Sequence, residues 1–170
     1  MNVRGGYHMK KKICLYLFCL LSICLLGCGK EKSTEKTDNL KEVIKELFNP
    51  VSDEEYQEFQ EDSSLFSSSG WLGERFKDSM TEEAYNTFLE TGTYQIMIFS
   101  YESGCNIEIE ETKIDEKKDY CEFHVKLQVS HKNGDDEKLE VNGTAQFDDN
   151  GKVRYFNLNN IDKLVEMLKK

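Results

Sequence analysis

Two hydrophobic rhythms divide this chain, one at helical spacing and one of period two. Leu40, Val43, Ile44, Leu47 and Phe48 recur as one apolar face, so a helix is expected that Asn39 caps and Asn49-Pro50 ends. Ser52-Asp53-Glu54-Glu55 has the pattern of a capping box opening a short second helix with Tyr56 and Phe59. Gly70-Trp71-Leu72-Gly73 leads into a brief helical segment through Phe76 and Met80. Thr81 caps a further helix with Ala84, Tyr85, Phe88 and Leu89 on one side, and Gly92 ends it. From Thr93 the rhythm changes. Thr93 to Glu102 is rich in β-branched and aromatic residues and apolar on both faces, which predicts a buried strand. Ile107 and Ile109 then alternate with glutamates. Phe123, Val125, Leu127 and Val129 alternate with Glu122, His124, Lys126 and Gln128, and Leu139, Val141, Ala145 and Phe147 alternate with Glu140, Asn142, Thr144 and Gln146. Each is the pattern of a half-buried antiparallel strand. The connections carry turn residues: Asp115-Glu116-Lys117-Lys118, Asn133-Gly134 and Asp149-Asn150-Gly151. Val153 to Leu158 reads as the last strand, and Asn160 caps a final helix with Ile161, Leu164, Val165 and Leu168.

Helices, then a meander of about five strands, then one helix describe an α+β domain. The pattern gives that domain residues 39–170. No internal repeat interrupts it.

A third pattern precedes the domain. Lys10-Lys11-Lys12 is followed by an apolar run from Ile13 to Leu26, 14 residues long. A helix of that length reaches only ~21 Å, short of a hydrocarbon core of roughly 30 Å. It has the length of a signal-peptide core instead. The run ends in Leu25-Leu26-Gly27-Cys28, which matches the lipobox of bacterial lipoproteins. In that family the thiol receives a diacylglyceryl group before cleavage, so the resemblance implies a signal peptide over residues 1–27 and a lipid on Cys28. Cys14, Cys19 and Cys24 lie in the same apolar run, but only Cys28 follows Leu-Leu-Gly and precedes a polar tract. Residues 29–38, with no apolar side chain, read as a tether lifting the domain off the bilayer. The expected location is the cell membrane, anchored by lipid and facing outside the cytoplasm. Arg4-Gly5-Gly6 is what a purine-rich ribosome-binding site encodes when read in frame, and Met9 follows at an initiator's distance. Translation is therefore expected to start at Met9.

Charge sharpens the picture. All 32 acidic residues follow Cys28, whereas Arg4 and Lys10 to Lys12 are four of the 22 basic ones. The chain from Cys28 thus holds 18 basic against 32 acidic residues, a formal charge of −14. Such a surface repels nucleic acid and anionic headgroups at long range, so no nucleic-acid partner is expected.

Thr81-Glu82-Glu83-Ala84-Tyr85 closing the helices, then long strands, then Asn150-Gly151-Lys152-Val153-Arg154-Tyr155-Phe156, resemble small Gram-positive envelope proteins of the NTF2-like (cystatin-like) superfamily. The resemblance covers about Leu40 to Leu158. It implies a curved sheet wrapped around helices as a cone, with a pocket inside. The superfamily includes isomerase-like enzymes, noncatalytic ligand binders and assembly domains, so fold alone selects no function. The helix after Asn160 extends the simplest form of the fold.

No catalytic constellation stands out. His124 and His131 are the histidines after Cys28; the first falls on a polar strand face and the second at a strand end, neither with a partner evident in the sequence. The isomerase-like branch uses a buried acid or tyrosine inside the cone, whereas these strands send Ile, Phe, Val, Leu and Ala inward. No catalytic residue carries over, and Tyr94, Tyr101 and Tyr155 are expected to fill core. Cys105 and Cys121 fall on apolar faces of adjacent strands. A simple hairpin about Asp115-Glu116-Lys117-Lys118 would put Cys121 opposite Thr112, leaving Cys105 about 23 Å away at ~3.3 Å per residue. Two free thiols are therefore expected, and a Cys105–Cys121 disulfide is the alternative. Asp148-Asp149-Asn150-Gly151 lacks the first and twelfth carboxylates of a calcium loop and reads as a hairpin turn. No metal or cofactor is expected. Leu65, Phe66, Trp71 and Leu72 form an apolar cluster in a Ser/Gly-rich stretch, readable as a lid over the sheet or as a contact for a partner or ligand. The expected function is a noncatalytic binding or assembly module of the envelope, with an unidentified protein or small-molecule partner. The alternative is a ligand-binding or isomerase-like protein using the cone's interior. Self-association of two copies through the sheet is a further expectation.

Overall fold

The computed structural model describes residues 28–61, 70–132 and 134–169, with side chains from residue 35 onward. The chain divides into two compact units, Met1–Glu35 and Lys36–Lys170, and the second is the domain considered below. The elements are α1 (Cys28–Phe48), α2 (Asp53–Glu61), α3 (Trp71–Phe76), α4 (Glu82–Glu90), α5 (Gln95–Ser103), β1 (Asn106–Glu116), β2 (Cys121–Ser130), β3 (Glu137–Phe147), β4 (Val153–Asn159) and α6 (Ile161–Leu168). Their class is α+β, as the patterning implies.

The apolar stripe of α1 is buried in full: Leu40, Val43 and Leu47 expose nothing, and Ile44 and Phe48 almost nothing. Asn39 lies inside this helix and does not cap it. Its side-chain amide donates to the Gly151 carbonyl 3.0 Å away, tying α1 to the β3–β4 turn. The capping box forms as the sequence implies, with Ser52 N donating to Glu55 Oε2 at 2.8 Å and Glu55 N donating to Ser52 Oγ at 3.2 Å. The Glu55 carboxylate also accepts both prongs of Arg75, at 2.9 and 2.6 Å. Arg75 further donates to the Asn49 and Pro50 carbonyls, and it lies over the Trp71 ring. One guanidinium thus fastens the end of α1, the start of α2 and all of α3.

The strand expected over Thr93 to Glu102 is instead α5. Ile96, Met97, Ile98 and Ser100 are buried and Phe99 and Tyr101 half-buried, so almost the whole circumference is covered. An apolar run with no polar face has no period to read, and burial decides between helix and strand. Gly104, at φ 63°, ends α5 in the left-handed conformation of a C-terminal glycine. Among the described residues four strands therefore remain, not five.

They form an antiparallel meander in the order β1-β2-β3-β4. Phe123, Val125, Leu127 and Val129 of β2 and Val141 and Ala145 of β3 face the helices and are closed to solvent. A bulge near Glu110 changes the parity of β1: Ile107 and Ile109 pair with Val129 and Leu127, but Thr112 and Ile114 pair with Val125 and Phe123. A single bulge keeps both halves of β1 facing the core. Phe123 stacks on Phe156 with ring centroids 5.3 Å apart, across the space that Gly143 leaves open. Met80 bridges to Val153, where Thr81 N donates to Val153 O and Val153 N to Ser79 O, each at 2.9 Å. This fixes the start of α4 beside β4. Asn160 has φ 62° and makes no side-chain cap, so α6 begins on a left-handed residue.

Candidate functional site

Of the lipobox, Leu25, Leu26 and Gly27 lie outside the described residues, and Cys28 opens α1 with its side chain outside the description. Among the described residues no helix is long and apolar enough to cross a membrane. Of the apolar cluster, Leu65 and Phe66 lie outside the described residues. Trp71 and Leu72, at 5% and 0% exposure, are core of the domain and present no surface to a partner. Tyr94 fills core as expected and Tyr101 is half-buried, but Tyr155 points outward and is 47% exposed.

The apolar face of the sheet is filled by side chains. Leu40, Ile44, Leu72, Phe76, Met80, Ile96, Met97, Leu164 and Leu168 from the helices belong to one cluster with Phe123, Val125, Leu127 and Val141. The opposite face is charged: Lys126 and Lys113 pair with Glu111, Lys138 with Glu110, and His124 Nδ1 lies 3.3 Å from Glu140 Oε1. The two lysines hold the Glu111 carboxyl below its ordinary value, and Glu111 raises Lys126 in return. An outer face of mixed charge offers little apolar area for two copies to bury.

One concavity with both polar and apolar lining lies outside the sheet, where the segment before α4 meets the β3–β4 turn. It encloses about 520 Å³ and is lined by Lys77, Met80, Thr81, Glu82, Tyr85, Asn86, Asp148 and Lys152. Local chemistry explains each wall. Thr81 caps α4 by accepting from Ala84 N, which places Glu82 and Asn86 on the open side. Asp148 Oδ1 accepts from Asn150 N at 2.9 Å and from Lys152 N at 2.8 Å, which shapes the turn as a side-chain-closed hairpin. Lys152 Nζ donates to the Lys77 carbonyl 3.2 Å away and so crosses the cleft at its edge. Tyr85 is 4% exposed, and its hydroxyl is buried without a hydrogen-bond partner. Burial pushes that phenol above its ordinary pKa. Two ammonium groups beside two carboxylates suit a zwitterionic or peptide-like surface better than a single strong charge.

The cysteines stand at opposite ends of the β1–β2 hairpin. Cys121 pairs with Glu116 beside the tight turn, whereas Cys105 precedes Asn106, which pairs with Ser130. Ladder spacing puts roughly 30 Å between them, and both are free thiols. The simple register expected for the hairpin is displaced, because the loop is Lys117–Tyr120 and the bulge near Glu110 shifts the remainder. His131, read as a solvated strand end, has a neighbour after all: its Nδ1 lies 3.3 Å from Cys105 Sγ. Among the described residues no group of three His, Cys, Asp or Glu side chains is arranged to hold a metal ion. The cleft beside Tyr85 and the Cys105–His131 contact both escaped sequence reading. Their parts lie as far as 26 and 75 residues apart, so only the tertiary fold brings them together.

No protein-family model matches the chain, and no curated protein matches it. Neither lipoprotein nor NTF2-like kinship gains support from that quarter.

Proposed function

We propose that this chain is an extracytoplasmic lipoprotein, anchored through acyl groups on Cys28, whose single domain is a noncatalytic binding or assembly module of the cell envelope. The observation that carries the proposal is the tetrapeptide Leu25-Leu26-Gly27-Cys28, placed between an apolar run too short to span and a polar tract. One acyl chain holds a protein to a bilayer only marginally, whereas two or more make a durable anchor. The acidic surface then stands away from the headgroups. The packed apolar face of the sheet supports binding at the surface over catalysis in an interior, because Phe76, Phe123 and their neighbours occupy that space. The cleft at Tyr85 and Lys152 is the surface proposed to meet a partner. The finer architecture proposed is an NTF2-like cone. It draws support from the helical layer on one face and from the bulge that lets β1 bend around it.

The anchor is tested by feeding cells that express the full chain an alkyne-tagged palmitate. Label on the protein and recovery in the membrane fraction are expected, both lost in Cys28→Ser. Label that persists in Cys28→Ser, or no label on the parent chain, would overturn the proposal.

A further inference from the structure

The open end of the β1–β2 ladder gathers three reactive side chains. Asn106 pairs with Ser130, so the residues flanking that pair, Cys105 and His131, meet where the ladder stops. Cys105 Sγ lies 3.3 Å from His131 Nδ1, within reach of an S–H···N hydrogen bond. On the far side of the ring, Glu137 Oε1 is 3.4 Å from Nε2. That approach is close enough for ion pairing but misaligned for a hydrogen bond, and Nε2 is buried with no hydrogen-bond partner. Thiol, imidazole and carboxylate stand in sequence across one ring. Gly104 brings the chain round from α5 to this corner, and the side chain of Lys132 passes beside it.

We propose that Cys105 is a thiol–disulfide exchange site, activated by His131, that captures half of a low-molecular-weight disulfide. The sulfur of Cys105 attacks one sulfur of the small disulfide. A Cys105 S–S bond forms as the original S–S bond breaks, and the Cys105 proton passes to His131 Nδ1. The departing thiolate then takes that proton from the imidazolium. One disulfide replaces another, so no further oxidant is needed, and attack by a free thiol reverses the step.

Three observations favour exchange with a small partner. Of the two described cysteine side chains, Cys121 is at the other end of the hairpin and cannot supply the second sulfur, which the proposal takes from solution. Cys105 is half-buried and Cys121 buried, so of these two described thiols Cys105 is the one open to a small molecule. Burial also pushes the Cys105 thiol up, so it rests protonated, and a base 3.3 Å away matters most when the proton must leave during attack. The Glu137 carboxylate stands 3.4 Å from Nε2, on the side of the ring away from the thiol. The site goes beyond the binding role proposed above and stands whether or not Cys28 carries lipid.

The test treats the purified full chain with oxidised glutathione at fixed pH and maps each mixed disulfide by peptide mass. Cys105 is expected to react about tenfold faster than Cys121, and also faster than Cys105 in the urea-unfolded chain. His131→Gln is expected to slow Cys105 by about tenfold without changing the Cys121 rate. A native Cys105 rate at or below that of the unfolded chain would overturn the proposal without recourse to any variant. So would a His131→Gln protein that reacts like the parent.

Discussion

A β-carbon at Gly143 would stand 2.2 Å from the Asn157 carbonyl oxygen and 2.3 Å from Phe123 Cζ. Neither neighbour yields easily, since one is backbone and the other is stacked on Phe156. Gly143→Ala is therefore expected to lower unfolding free energy by about 1–3 kcal/mol, the range for overpacking a tight site, measured by urea titration. A change below about 0.5 kcal/mol would mean that β3 and β4 do not approach so closely. Such single residues differ in how far the sequence reveals them. The Ser52–Glu55 capping box was legible because both partners lie within one turn. Gly143 was not, since its need arises from Asn157 and Phe123, and nothing near it in the chain names them. Asn39 was misread for a similar reason: a residue that caps well locally instead serves a carbonyl 112 positions away.

At the scale of elements, α2 and α5 are clasped by two tyrosines. Their rings stack 4.3 Å apart; Tyr56 donates to Glu102 Oε1 and Tyr101 to Asp53 Oδ1, each at 2.8 Å. Those bonds to carboxylates raise both phenols above their ordinary value near 10. A raised folded-state pKa means that the neutral phenol is favoured in the fold. The contribution is thus complete below about pH 10 and lost as pH climbs through the raised values. The thermal midpoint is expected to fall between about pH 9 and 11, and to fall less steeply in the Tyr56→Phe, Tyr101→Phe double variant. Tyr85, Cys105 and Cys121 share the sign, so some slope should survive. An unchanged slope in the double variant would count against the clasp. The sequence predicted α1, α2, α4 and α6 because each has a polar side to contrast with its apolar one. It gave no such contrast for α5, and the bulge near Glu110 left only a faint mark, the switch from odd apolar positions, Ile107 and Ile109, to the even Ile114 across a polar run.

For the whole molecule, 32 acidic residues against 18 basic ones after Cys28 set a compact body against its own charge. Raising sodium chloride from about 10 mM to 0.5 M shortens the screening length from roughly 30 Å to a few ångströms. The unfolding midpoint is expected to rise by a few degrees, while a fall would show that ion pairs such as Lys126–Glu111 outweigh the net repulsion. The meander also has a kinetic consequence. Each strand pairs only with its neighbour in the chain, so the sheet is assembled from successive hairpins with short loops to close. The Met80–Val153 bridge is a longer-range link, and so is the bond from Asn39 to the Gly151 carbonyl, which joins the first helix of the domain to the last turn of the sheet. A chain emerging from its N-terminus can build β1 to β3 as it appears, yet α1 must wait for the β3–β4 turn before that bond can form. Release of the final segment, rather than any strand before it, is thus the event that lets this body finish folding.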